Sequence, residues 1–183
     1  MDLNEKSTIG PSYIGLANAY IQTGNLSVAA MNAKKAIAIF TSTNNIYNAG
    51  KSLLVISEIY ISLGKIDDAK ESLEKSQRIC KTFNEHFIMG KLDILNGKIA
   101  FNKKEFNNAI QYYETGLDRI QISDNQYYIM LYSAEQAIHY LYQRNYRKCK
   151  IFIDKALFIT EKIKNEDAQI YINCIKEFLL TLE

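Results

Sequence analysis

The stretch EIYISLGKIDDAKESLEKS, residues 58–76, sets two helical patterns on either side of a glycine. Leading up to Gly64, apolar residues recur at intervals of three and four: Leu53, Ile56, Ile59, Tyr60 and Leu63. Gly64 ends that run, because a left-handed residue after a helix costs glycine little. Asp67 and Asp68 then fall in the first turn of the next helix, where carboxylates favour the unpaired amides and the helix dipole. The second helix has Ile66, Ala69, Leu73 and Ser76 to bury. The spacing predicts a helix, a tight turn and a second helix.

The same frame recurs at steps of forty residues. Ala29, Ala69, Ala109 and Cys149 put a small side chain at every step. Nine residues upstream come Tyr20, Tyr60, Ala100 and Tyr140, and five upstream Gly24, Gly64, Lys104 and Arg144. Three upstream stand Leu26, Ile66, Phe106 and Tyr146, and seven downstream Ala36, Ser76, Gly116 and Ala156. The small residues have a mechanical purpose, since larger ones would hold the paired helices apart. A single helical hairpin cannot cover its apolar face, so several such units must stack.

This frame resembles the tetratricopeptide repeat, in which an aromatic, a turn glycine and two small residues hold these relative places. The second unit matches through Ile56, Ser57, Tyr60, Gly64, Ile66, Ala69, Leu73 and Ser76, and the third through NGKIAFNKKEFNNAIQYYETGL, residues 96–117. The period is forty, not the common thirty-four, and the usual terminal proline is replaced by Thr41, Lys81, Gln121 and Glu161. Without that breaker the second helix of each unit is expected to run on. The resemblance implies an all-α solenoid, a right-handed superhelix of four hairpins over about 10–49, 50–89, 90–129 and 130–165. A capping helix, 166–182, would follow, with Ile170, Cys174, Phe178 and Leu182 turned onto the last unit. Ser7–Thr8–Ile9–Gly10–Pro11 reads as the first helix start after a polar, unstructured segment 1–8. Arrays with long helices of this kind occur in bacterial regulatory proteins, among them receptors for signalling peptides, and in adaptors like kinesin light chain. The expectation is accordingly a protein- or peptide-binding regulatory domain of a bacterial cytoplasmic protein. An open first unit leaves room for a removed effector domain; the alternative is a self-associating structural scaffold or adaptor, a homodimer formed through that face.

Bulk properties agree with such a chain and narrow it. With 183 residues, 48% hydrophobic and 23% charged, it suits one globular domain. A net charge of +2 gives no field for nucleic acid or an anionic membrane. One proline and eight glycines leave few breaks in a helical chain. No apolar run is long enough to span a membrane. Cys80, Cys149 and Cys174 form no CxxC pair and lie among apolar neighbours, which suits a reducing cytosol and offers no metal site.

Catalytic patterns are missing. His86 lies in NEHF without the second histidine of a zinc motif, and His139 sits between Ile138 and Tyr140 as an ordinary helix residue. No phosphate-binding glycine loop or nucleophile elbow is present, so neither an enzyme nor a cofactor is expected. The basic stretch QRNYRKCKIF, residues 143–152, interleaves Arg144, Arg147, Lys148 and Lys150 with Tyr146 and Phe152. Such a pattern can hold a nucleic-acid strand. Tyr146, however, occupies a repeat-core position, and a solvated basic face is the better reading. Tyr127, Tyr128, Tyr132 and Tyr142 have no repeat-core place and read as packing before they read as a ligand surface.

In tetratricopeptide arrays the first helix of each unit lines a concave groove, the usual seat of a peptide. The register assigns to it Ile14, Asn18, Ile21 and Gln22; Lys51, Leu54, Glu58, Ile61 and Ser62; Lys91, Ile94, Lys98, Phe101 and Asn102; and Ala134, Ile138, Leu141 and Tyr142. Ile21, Ile61, Phe101 and Leu141 would form an apolar row, with Asn18, Glu58 and Lys98 as polar anchors beside it. The alternative is that the row packs neighbouring helices and is core. Of the five residues with which the chaperone-binding branch clamps a carboxylate, Asn18 and Lys91 match, while Ile14, Val55 and Leu95 do not.

Overall fold

The computed structural model describes the backbone of residues 3–182 and the side chains of residues 8–182. Within it the chain forms nine helices: α1 Leu3–Gln22, α2 Leu26–Ser42, α3 Ile46–Ser62, α4 Ile66–Cys80, α5 His86–Asn102, α6 Phe106–Ile122, α7 Gln126–Tyr142, α8 Tyr146–Ile163 and α9 Glu166–Leu180. From α2 onward each helix starts twenty residues after the last. The cause is a turn that repeats at the same interval. Gly24, Asn44, Gly64, Asn84, Lys104, Asp124, Arg144 and Lys164 all have positive φ, between 48° and 74°. Glycine, asparagine and aspartate tolerate that conformation, and lysine and arginine adopt it here as well. At most of these turns the amide of the next residue reaches back across the helix end, as from Asn25 to the Tyr20 carbonyl at 2.9 Å and from Lys65 to that of Tyr60 at 2.8 Å. Asn45, Asn125, Asn145 and Asn165 then cap the following helix through their side chains.

Each first helix packs most extensively on its own second helix: α1 on α2, α3 on α4, α5 on α6 and α7 on α8. First helices also touch neighbouring first helices, α1 on α3, α3 on α5 and α7 on α9, whereas no two second helices do so to a comparable extent. The array is drawn together on its first-helix side, and that is the side that can form a groove.

The expected small residues lie where the paired helices meet. Ala29, Ala69, Ala109 and Cys149 are between 0% and 1% exposed, and Ala36, Ser76 and Ala156 are 0% exposed. The hydroxyl of Ser76 donates to the Gly50 carbonyl at 2.8 Å. A further set in the first helices, Gly10, Gly50 and Gly90, has the same spacing. A Cβ on Gly10 would stand 2.6 Å from the Phe40 ring, and one on Gly90 would stand 2.5 Å from Ile120 and 2.8 Å from the Gly116 carbonyl. In the fourth unit the volumes are exchanged, with Met130 buried on the first helix and Thr160 on the second.

Three expectations about boundaries are corrected. The first helix does not begin over Ser7–Pro11 with Pro11 in its first turn: α1 already runs from Leu3 and carries Pro11 inside it. Backbone at Gly10 must be helical for Phe40 to seat against it, which outweighs the amide that proline lacks. Of the segment 1–8 expected to be unstructured, residues 3–8 belong to α1, and residues 1–2 lie outside the described residues. The unit edges fall at the turns near 44, 84 and 124, so the expected boundary between 49 and 50 lies inside α3. The forty-residue period is also not spent on longer second helices, since α2, α3, α5, α6 and α7 each have 17 residues. First and second helices share the extra length.

The capping helix is corrected as well. Ile172, Ile175 and Leu179 of α9 are buried, while Ile170 at 65% and Phe178 at 55% are exposed, together with Cys174. The register explains this. α9 begins where a fifth first helix would, so it seats itself by the face that α7 uses: Ile172, Ile175 and Leu179 stand forty residues after Tyr132, Glu135 and His139.

Gly90→Ala removes the flexibility of a helical glycine but sets a methyl against the Gly116 carbonyl. The expected net result is destabilisation by about 1–2 kcal/mol. Gly15→Ala, where nothing lies within 4 Å of the added methyl, should instead stabilise by about 0.5–1 kcal/mol. Urea melts of the two variants check the pair.

Candidate functional site

The expected groove side is formed by α1, α3, α5 and α7, and its residues differ from one end to the other. At its N-terminal end a cleft of about 370 Å³ lies between these four helices, lined by Asn18, Asn48, Lys51, Val55, Phe87 and Tyr128 among others. Asn18 and Lys51 are exposed, and no side-chain hydrogen bond holds Asn18 or Asn48 among the described residues. The Lys51 ammonium lies 5.1 Å from the centre of the Tyr47 ring and, among the described residues, has no carboxylate partner. Ile14, expected here, lines the cleft and packs against Phe40 and Ala49.

The middle of the groove is not a row of free anchors. Glu58 and Lys98, expected to offer alternating charge to a ligand, are held by each other at 3.5 Å. Lys98 also meets Glu135 of α7 at 2.9 Å, and Lys91 approaches Glu58 at 3.8 Å. These side chains are 12% to 26% exposed. Burial pushes the Glu58 carboxyl up, but Lys98 and Lys91 outweigh it and hold the group below its ordinary range. Burial likewise works against the Lys98 ammonium, and Glu135 and Glu58 raise it above its ordinary value. The chain Lys91–Glu58–Lys98–Glu135 thus ties α3, α5 and α7 together under the groove. Glu135 escaped the sequence reading. Its signal was available: forty and eighty residues earlier the same position holds Leu95 and Val55.

Beneath this chain lies a polar seam between the third and fourth units. Tyr113 and Tyr132 are each 1% exposed, and burial raises both hydroxyls well above their ordinary range. Gln136, 0% exposed, makes no side-chain hydrogen bond to another protein group, and neither ring nitrogen of His139 makes one. His139 sits between Phe101 and Tyr113, with ring centres 4.4 and 4.2 Å away. Burial, and then the Lys98 charge, lower its pKa to about 4.

The remaining expected residues divide. Ile21, Ile61 and Leu141 are half-buried and each packs against a core cluster, so the proposed apolar floor is largely shared with the core. Phe101 is half-buried among Phe106, His139 and Tyr142. Leu54, Ile94 and Ala134 are core, at 3%, 0% and 1% exposure. Gln22 and Ser62 are exposed, and Asn102 donates its amide to the Lys98 carbonyl at 2.9 Å. At the C-terminal end, Ile138, Leu141 and Tyr142 line a second cleft with α9, of about 620 Å³.

Elsewhere the aromatic residues of the basic stretch are occupied: Tyr146 packs on the core, and Phe152 stacks on Tyr140 with ring centres 5.5 Å apart. Lys148 meets Glu114 at 3.4 Å. Among the described residues no group of histidine, cysteine or carboxylate side chains could hold a metal, and no helix is long and apolar enough to cross a membrane. Among the described residues of α1, Leu16 is the single exposed large apolar side chain, at 46%.

Residues 50–83 match the family model of the tetratricopeptide repeat. A curated relative, the transcriptional activator NprA of Geobacillus stearothermophilus, is 24% identical over 134 residues, which are 73% of this chain and 32% of that protein. The chain therefore spans about a third of that relative's length. Among solved structures, the apo form of RapI aligns with a TM-score of 0.76 at 17% identity, over 98% of this chain and 64% of that one. A putative kinesin light chain of Podosopora anserina with nearly identical TPR-like repeats aligns at 0.67 and 15% identity, over 99% of this chain and 88% of that one. At these identities the likeness is one of fold.

Two outcomes are expected from the buried groups. Lys98→Met leaves Glu58 and Glu135 facing each other half-buried, and should cost about 2–4 kcal/mol in a chemical melt. Adding Glu135→Leu should recover much of that loss. His139 is neutral when folded, and its folded pKa lies below the unfolded value. Its contribution is therefore complete above pH about 6.5 and is lost as the pH falls towards 4, by about 3 kcal/mol in all. His139→Leu should flatten that part of the stability–pH curve relative to wild type.

Proposed function

We propose that this tetratricopeptide-repeat chain is the sensing module of a bacterial cytoplasmic regulator, and that it binds a peptide or partner segment along its first-helix groove without catalysis. The carrying observation is the contrast along that groove. The central charges are consumed by the Lys91–Glu58–Lys98–Glu135 chain, while Asn18, Asn48 and Lys51 around the N-terminal cleft are not. An asparagine amide can donate to and accept from a peptide backbone at once, and a lysine without a carboxylate partner can meet an acidic group. The ion chain contributes stiffness and fixes the spacing of the helices that present these groups. A regulatory role is supported by the relation to a transcriptional activator and by the fold shared with RapI.

Selection of a displayed random peptide library on the purified chain, followed by titration of synthetic winners, tests this. Asn18→Ala/Lys51→Ala should weaken the selected peptides by about tenfold or more, with the thermal melt unchanged. Selection of no peptide above background, or winners indifferent to the double substitution and to every other groove substitution, would overturn the reading.

A further inference from the structure

The same groove changes character at its far end, in a way its repeat register makes plain. The inner face of α5 carries Lys91 and Lys98. Forty residues later these positions are Leu131 and Ile138, and forty after that Tyr171 and Phe178. The charged floor becomes an apolar one. Tyr142, Tyr171 and Phe178 are 68%, 50% and 55% exposed, although they wall a cleft of about 620 Å³ together with Ile138 and Leu141. That volume is within the range of ligand-holding clefts, about 300–1,000 Å³. Ile172 and Leu179 seat α9 on the core, at 0% and 2% exposure, and Ile175, 9% exposed, lines the cleft floor.

Among the described residues one charged residue lines this cleft, Arg144 in the turn after α7, and no carboxylate does. Among the described residues the Arg144 guanidinium has no ion pair, in contrast to Lys98 and Lys148. A guanidinium at the rim of an apolar cleft favours a carboxylate and disfavours a cation.

We propose that this cleft is the specificity pocket of the groove, and that it takes a bulky aliphatic or aromatic side chain of a peptide whose adjacent aspartate or glutamate meets Arg144. The inference rests on the groove reading above and adds the chemistry of the ligand to it. The apolar side chain covers Tyr171 and Phe178, and the carboxylate fixes the direction in which the peptide lies. The polar N-terminal cleft then holds backbone and sets little of the sequence. Discrimination sits at the C-terminal end.

Cys174 lines the same cleft and is exposed, while Cys80 and Cys149 are buried. Its reaction with a thiol reagent such as dithionitrobenzoate therefore reports occupancy. The experiment uses end-blocked peptides from the library selection, with that reaction and direct titration as readouts. Selected peptides should share a large apolar residue next to an acidic one and slow Cys174 by about tenfold or more at saturation. Arg144→Glu should weaken them by about tenfold or more and, in a fresh selection, exchange the acidic residue for a basic one. Phe178→Asp should abolish the apolar preference. Arg144 and Phe178 are both exposed, and circular dichroism checks that each variant folds. Winners that protect Cys174 but ignore Arg144→Glu would overturn the proposal. So would winners that leave Cys174 reactive while depending on Asn18 and Lys51, an outcome that leaves the groove reading standing. Protection of Cys174 that rises with protein concentration alone would assign the cleft to a second copy and overturn it too. Absence of any winner would remove both readings.

Discussion

The backbones of α5 and α6 nearly touch at Gly90 and Gly116, where a methyl on either would press on the carbonyl of the other at 2.8 Å. The first three hairpins solve that contact with a glycine under bulk: Gly10 under Phe40, Gly50 under Ile79 and Cys80, Gly90 under Ile120. The fourth exchanges the volumes, as Met130 and Thr160. Once the pairs are this close, the second helices have no freedom to spread, and the first helices are left to meet one another on the inner side. The groove is a consequence of that approach. Its position was decided by small residues on the far faces of the helices that line it.

Within the groove, magnitudes decide which side chains remain for a ligand. Four half-buried charges on three helices would be costly if any stood alone, since each would lose most of its hydration. Arranged as Lys91–Glu58–Lys98–Glu135 they offset one another's charge, although one Glu135 oxygen stays without a hydrogen bond among the described residues. The directions of the Glu58 and Lys98 shifts agree that attraction outweighs burial. A peptide would have to break this chain to use Lys98, and it has cheaper partners at either end. Beneath the chain, His139 is held between Tyr113 and Phe101, and neither it nor buried Gln136 makes a side-chain hydrogen bond to protein, so among the described residues this seam has the least polar satisfaction.

Much of this was legible in the chain itself. The recurrence of Ala29, Ala69, Ala109 and Cys149 locates the helix contacts, and Gly64 marks its turn. Other features could not be read from a single position. Lys104 and Arg144 adopt the same left-handed turn as Gly64, because the surrounding helix-end hydrogen bonds impose it whatever the side chain. Glu58 and Lys98 sit in the expected row, but pairing depends on the stagger between neighbouring helices, and Glu135 entered that pairing from a position that is apolar in the two units before it. The stripe Ile170–Cys174–Phe178 has the period of a buried face. Which of two apolar stripes on α9 becomes buried is set by the face that α7 and α8 offer, and they take Ile172, Ile175 and Leu179.

The turn that recurs every twenty residues also sets how such an array can change in length. In backbone terms each helix with its turn spans the same twenty-residue step from α2 onward, and one more could join at that step. The side chains repeat only every forty. Inserting a single helix would present every later inner face, from Lys98 to Phe178, to the outside, and would set the glycines meant for close contact against solvent. Gain or loss is therefore tolerable only in pairs of helices, although nothing in the backbone enforces it. The even-numbered rule is written in the alternation of glycine against bulk.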